Sequence, residues 1–126
     1  MRDKRFLVVD DEQSVADFIH TVIELEGGIV LHAATAAGAI ECLRSNGPFD
    51  LMVLDLALPD RSGWDVLASA KHLLEGCKVV IFSAHASDND AERARDAGVA
   101  LSLAKPVAAT VLRDALRSVL QQRPGR

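Results

Sequence analysis

The stretch Leu51-Met52-Val53-Leu54-Asp55 decides the fold. Four apolar residues in a row show no polar/apolar alternation, so both faces of this segment must be covered, as in a central strand of a parallel sheet. The run stops abruptly at the carboxylate of Asp55.

Outward from this strand the same unit repeats. Phe6 to Val9 is a second apolar run, followed from about Glu12 by Val15, Phe18, Ile19, Val22 and Ile23 at helical spacing, with Gly27 and Gly28 ending the helix. Ile29 to His32 is a strand. A weaker helix runs from Thr35 to about Ser45, with Thr35 as its cap and Gly38 costing roughly 1 kcal/mol relative to Ala. Asn46-Gly47-Pro48 closes that unit. Beyond Asp55, a loop through Pro59 and Gly63 leads to a helix marked by Val66, Leu67, Ala70, Leu73 and Leu74 and stopped by Gly76.

Val79 to Phe82 is the fourth strand. The helix starting at Ser87, Asp88 and Asp90 offers only Ala91, Ala94 and Ala97 inward, so it should be the least firmly held. Leu101 to Leu103 is the fifth strand, and Val111, Leu112, Ala115, Leu116 and Val119 mark the last helix. Five β/α repeats define an α/β fold, a doubly wound parallel sheet covered by helices on both faces. One domain over residues 1–122 with a polar tail over 123–126 is expected.

The 126 residues carry a net charge of −4 and no run of Lys or Arg, which argues against direct nucleic-acid binding. Cys42 and Cys77 have neither C-x-x-C nor metal spacing and are expected to be reduced thiols. No apolar stretch approaches the roughly 20 residues of a membrane span. A cytoplasmic protein without membrane contact is the expectation.

Ligands of open α/β sheets sit beyond the carboxyl ends of the strands. There the sequence places Asp10-Asp11-Glu12, Asp55, Ser83 and Lys105-Pro106. In a sheet of order 2-1-3-4-5 these four places lie on adjacent strands. Three carboxylates within a few ångströms repel unless a cation lies among them, and oxygen donors with retained waters suit Mg²⁺. A phosphoryl group on Asp55 would present oxygens to the metal, Lys105 and Ser83. Singly, each residue has a plainer role: the acids face the positive end of the first helix, Asp55 and Ser83 serve turns, and Lys105 is a surface cation. Their coincidence at the right strand ends favours the shared site.

With these residues, and with Pro59, Gly63 and Ser83-Ala84, the chain resembles the receiver domains of bacterial response regulators over essentially its whole length. The resemblance implies a flavodoxin-like fold. It also implies a phosphoacceptor at Asp55, Mg²⁺ or Mn²⁺ held directly by Asp11 and through water by Asp10, and the Ala57 carbonyl as a further ligand beside Asp55. Ser83 would be the switch hydroxyl, Lys105 the phosphoryl-pairing cation, and Lys105–Pro106 a cis peptide. Phosphate would come from a histidine kinase or a histidine phosphotransfer protein. Any pairing of copies would use the fourth and fifth helices of an otherwise monomeric protein, and the downstream protein is unknown.

Ala57 and His85 flank the acceptor and could modulate water attack on the acyl phosphate, although a solvated loop position is the plainer reading of His85. His20, His32 and His72 read as surface residues and Trp64 as a packing residue. The family's usual aromatic on the fifth strand is replaced by Ser102, so the signal is expected to leave through residues 83–87 and the fourth helix. Two other classes compete. A hydrolase passing through an aspartyl phosphate would need a second Asp where Ala57 stands. A binding module, either a flavodoxin-like carrier or a receiver fold working without phosphorylation, needs no such acid, and the acidic first loop argues against FMN.

Overall fold

The computed structural model describes residues 1–84 and 88–122, with the side chains of residues 88 and 89 left aside. Among the described residues, strands and α-helices alternate: β1 (Arg5–Val9), α1 (Gln13–Leu25), β2 (Ile29–Ala33), α2 (Ala36–Asn46), β3 (Leu51–Leu54), α3 (Gly63–Ser69), β4 (Lys78–Ser83), α4 (Asp88–Asp96), β5 (Leu101–Ala104) and α5 (Ala109–Gln121). All strand pairs are parallel, in the order β2-β1-β3-β4-β5. This is the flavodoxin-like fold.

Period-two alternation divides the strands between two cores. Leu7, Val9, Met52, Leu54, Val79 and Ile81 face Ala36, Ala39 and Leu43 of α2 and Val66 and Leu67 of α3. Phe6, Val8, Leu51, Val53, Val80 and Phe82 face Ile19, Val22 and Ile23 of α1 and Leu112, Leu116 and Val119 of α5. All four residues of β3 are therefore buried, and β3 pairs on both sides. β5, at the sheet edge, is only half covered.

The third helix is shorter than its apolar spacing predicts. It ends at Ser69, and Lys71–Leu73 forms a separate 3₁₀ turn. Leu73 and Leu74 still pack against the core that Val66 and Leu67 of α3 enter.

α4 is thinner than expected, because Ala94 is buried while Ala91 and Ala97 are exposed. Val111, assigned to the inner stripe of α5, is half exposed. The polar tail, residues 123–126, and His85 lie outside the described residues.

Gly38, a cost in the helix by propensity, has a local reason. Its N–H donates to Thr35 Oγ1 at 2.9 Å, and a Cβ there would stand 2.9 Å from that same oxygen. Among the described residues no helix is long and apolar enough to cross a membrane.

Candidate functional site

Three strands end one residue short of a chemically active side chain. β1 stops at Val9 before Asp10, β3 at Leu54 before Asp55, and β5 at Ala104 before Lys105. β4 ends on Ser83 itself. The register sets Val9 opposite Leu54 and Ser83 opposite Ala104, so these ends form one ledge across the sheet.

Backbone bonds hold the ledge. Asp10 N–H donates to Ala33 O at 3.1 Å, Asp55 N–H to Val9 O at 2.9 Å, and Lys105 N–H to Ser83 O at 2.9 Å. Gly63 N–H donates to Leu56 O at 2.9 Å, folding α3 back over the end of β3. A Cβ on Gly63 would lie 2.5 Å from Asp55 O, so this close approach requires glycine.

Carboxylate oxygens of Asp10, Asp11 and Asp55 all lie within 4.8 Å of one another. Asp10 and Asp55 are buried and Asp11 is exposed, so the cluster opens to solvent on one side. Lys105 Nζ donates to Asp10 Oδ2 at 2.7 Å and to Asp55 Oδ2 at 3.2 Å. Glu12 is the outer neighbour, at 3.9 Å. Burial pushes the Lys105 pKa down, but hydrogen bonds and charge from Asp10 and Asp55 outweigh it, so the net shift is upward and the ammonium stays charged.

One ammonium against three carboxylates leaves an excess of negative charge in a partly desolvated space. That all-oxygen donor set suits a hard divalent cation, and Asp10, Asp11 and Asp55 could hold one.

Asp10 Oδ1 also accepts the Glu12 N–H at 2.9 Å, so this acid holds the turn ahead of α1 as well as facing the cluster. Ala57 N–H donates to Asp55 Oδ1 at 3.2 Å, which places the Ala57 backbone beside this carboxylate. The Lys105–Pro106 peptide is cis; Gly47–Pro48 is also cis, which the sequence reading did not anticipate. Ser83 is buried one strand away and lines a crevice of about 30 Å³ with Leu56, Ile81, Asp90, Ala91, Ser102 and Leu103. Trp64 is buried at the start of α3, with the Arg93 guanidinium 4.6 Å from its ring centre.

Two residues near the site escaped the sequence reading. His32 Nε2 lies 2.8 Å from the Asp10 carbonyl, so this exposed histidine braces the end of β1. Asp60, in the β3–α3 loop, accepts the N–H groups of Ala36 and Ala37 at 2.8 and 3.0 Å. Its only sequence signal was negative: α2 has no acid in its own first turn.

The sequence profile of the response regulator receiver domain matches residues 6–117. The chain belongs to that family, a class of signalling modules in two-component systems whose members are phosphorylated by histidine kinases or phosphotransfer proteins.

Among its relatives is the transcriptional regulatory protein KdpE of Mycobacterium tuberculosis, 36% identical over 100 residues, or 79% of this chain and 43% of the relative. The chain thus spans less than half of that protein. Sporulation initiation phosphotransferase F of Bacillus subtilis is 27% identical over 120 residues, covering 95% of this chain and 96% of the relative. A CheY-like receiver domain from Methanospirillum hungatei superposes with a TM-score of 0.87 at 31% identity, covering 94% of each chain.

Proposed function

We propose that Asp55 accepts a phosphoryl group from a phosphohistidine on a histidine kinase or histidine phosphotransfer protein, and that the modified domain then signals by a conformational shift. The observation that carries this reading is the double reach of Lys105 Nζ to Asp10 and Asp55. It marks one compact site built from three strand ends.

An oxygen of the Asp55 carboxylate attacks phosphorus, the bond from phosphorus to the donor imidazole nitrogen breaks, and the leaving imidazole takes up a proton. Asp10, Asp11, Asp55 and the Ala57 carbonyl would hold Mg²⁺ or Mn²⁺. When bound, the ion neutralises charge on the phosphoryl oxygens. Lys105 exchanges its contact with Asp55 for one with a phosphoryl oxygen. Ser83 supplies a hydroxyl donor to another oxygen. Ala57, whose N–H reaches Asp55 Oδ1, is the position beside the proposed acceptor that modulates attack of water on the acyl phosphate.

Adding about 1.5 to 2 negative charges at this ledge biases the β4–α4 connection and α4. The protein works in the cytoplasm as a monomer or a weak homodimer through α4 and α5, without direct contact to nucleic acid or membrane. It promotes its own phosphorylation and dephosphorylation but turns over no external substrate.

Incubation with Mg²⁺ and acetyl phosphate, followed by intact mass and Trp64 fluorescence, tests this. One phosphoryl per chain, lost in Asp55→Asn, is the expected result. Sustained phosphate release from varied phosphoesters would instead indicate a hydrolase. No response to acetyl phosphate or beryllofluoride would indicate a contact module that works without phosphorylation.

A further inference from the structure

We infer that Asp60 is a positioning residue for the cation site: it anchors the β3–α3 loop to the N-terminus of α2 and thereby fixes the Ala57 backbone beside Asp55. The inference rests on reading the acidic cluster as a divalent-cation site with the Ala57 carbonyl among its ligands.

The loop leaves β3 at Asp55 and returns at Gly63. Its base is tied twice, by Gly63 N–H to Leu56 O at 2.9 Å and by the antiparallel bridge between Ala57 and Ser62. At its tip, Asp60 uses both carboxylate oxygens, one on Ala36 N–H and one on Ala37 N–H. These donors have no partner within the helix, and Thr35 Oγ1 takes only the next one, on Gly38. The two backbone bonds hold the Asp60 carboxyl below its ordinary pKa, so it is ionised wherever the site works.

α2 in turn is set on the sheet by buried Ala36, Ala39 and Leu43. The chain of contacts therefore runs from a fixed core helix through Asp60 to the loop, and through Ala57 N–H to Asp55 Oδ1 at 3.2 Å. Without this anchor the loop is held at its base alone, by the Gly63–Leu56 bond and the Ala57–Ser62 bridge, so the direction of the Ala57 backbone is fixed less firmly, and a main-chain ligand is only as good as its orientation.

The test is a Mg²⁺ titration of the full chain followed by Trp64 fluorescence, with phosphorylation by acetyl phosphate measured across the same concentrations. About 1 M potassium chloride, with a screening length of about 3 Å, suppresses any through-space effect of removing the Asp60 charge. Asp60→Ala is expected to weaken Mg²⁺ binding roughly tenfold, with the phosphorylation rate at saturating Mg²⁺ within about twofold of wild type. Asp60→Asn, which keeps an acceptor oxygen, should fall between and serves if the alanine variant does not fold. Thr35→Ala removes a cap from the same helix without touching the loop and should leave Mg²⁺ affinity unchanged.

Unchanged affinity in folded Asp60 variants, or an equal loss in Thr35→Ala, overturns the inference alone. A wild-type protein that does not respond to Mg²⁺ overturns the metal reading and the inference with it.

Discussion

Lys105 Nζ lies 2.7 Å from Asp10 Oδ2, a contact that joins β5 to β1 across two intervening strands. The Lys105 side chain is only 10% exposed and that of Asp10 2%. Replacing Lys105 with Met would leave Asp10 and Asp55 facing each other without their cation. Metal-free Lys105→Met should lose about 2–4 kcal/mol in urea unfolding at pH 7, and added Mg²⁺ should restore most of it. A loss confined to a few tenths would mean that Lys105 contributes little to the resting fold.

The same pair sets a pH dependence. The folded-state pKa of Lys105 lies above the ordinary 10.5, so its stabilising contribution is complete below that value and lost as pH rises through the higher folded one. The stability difference between wild type and Lys105→Met should therefore be flat from pH 7 to about 10 and shrink above it.

Asp60 titrates at the other end of the scale. Its folded pKa is depressed below 3.8 by the Ala37 and Ala36 N–H groups, so its contribution is present above 3.8 and lost as pH falls through the folded value. Wild type and Asp60→Ala should converge in stability in acid. A constant difference down to about pH 2 would contradict this cap.

Gly63 is held to its residue type by contact rather than by turn geometry. With a Cβ 2.5 Å from Asp55 O, Gly63→Ala must displace either α3 or the end of β3. A loss of about 1–3 kcal/mol is expected in chemical denaturation, together with slower phosphorylation, because the strained atom belongs to Asp55 itself.

α4 should be the helix that exchanges its amides fastest, since its buried apolar contact among the described residues comes from Ala94. Hydrogen exchange with and without beryllofluoride should show the largest change in residues 84–97. Arg93→Ala, which removes the cation over Trp64, should speed exchange in α4 and alter Trp64 emission. Unchanged protection there would reject α4 as the outlet.

The sheet was legible because β3 is apolar on both faces and the other strands carry the same short runs between helices of clear period. The site was legible because its members end strands, where a buried Asp or an inward Lys has no packing reason to be. Other features were hidden where the determinant is tertiary. The break after Ser69 and the half exposure of Val111 left no mark in the apolar spacing, which fits a longer third helix and an inner position for Val111. Asp60 looked like an ordinary loop residue because its partners, Ala36 and Ala37, lie 24 and 23 positions away and act through backbone N–H groups that no side chain announces.

The central claim is that the phosphoryl group resides on Asp55. Borohydride reduction of the Mg²⁺ and acetyl phosphate-treated protein converts an acyl-phosphorylated aspartate to homoserine, which peptide mass spectrometry locates. Homoserine at position 55 and at no other acid is the expected result; label at Asp10, at Asp11 or at no carboxylate would contradict the account.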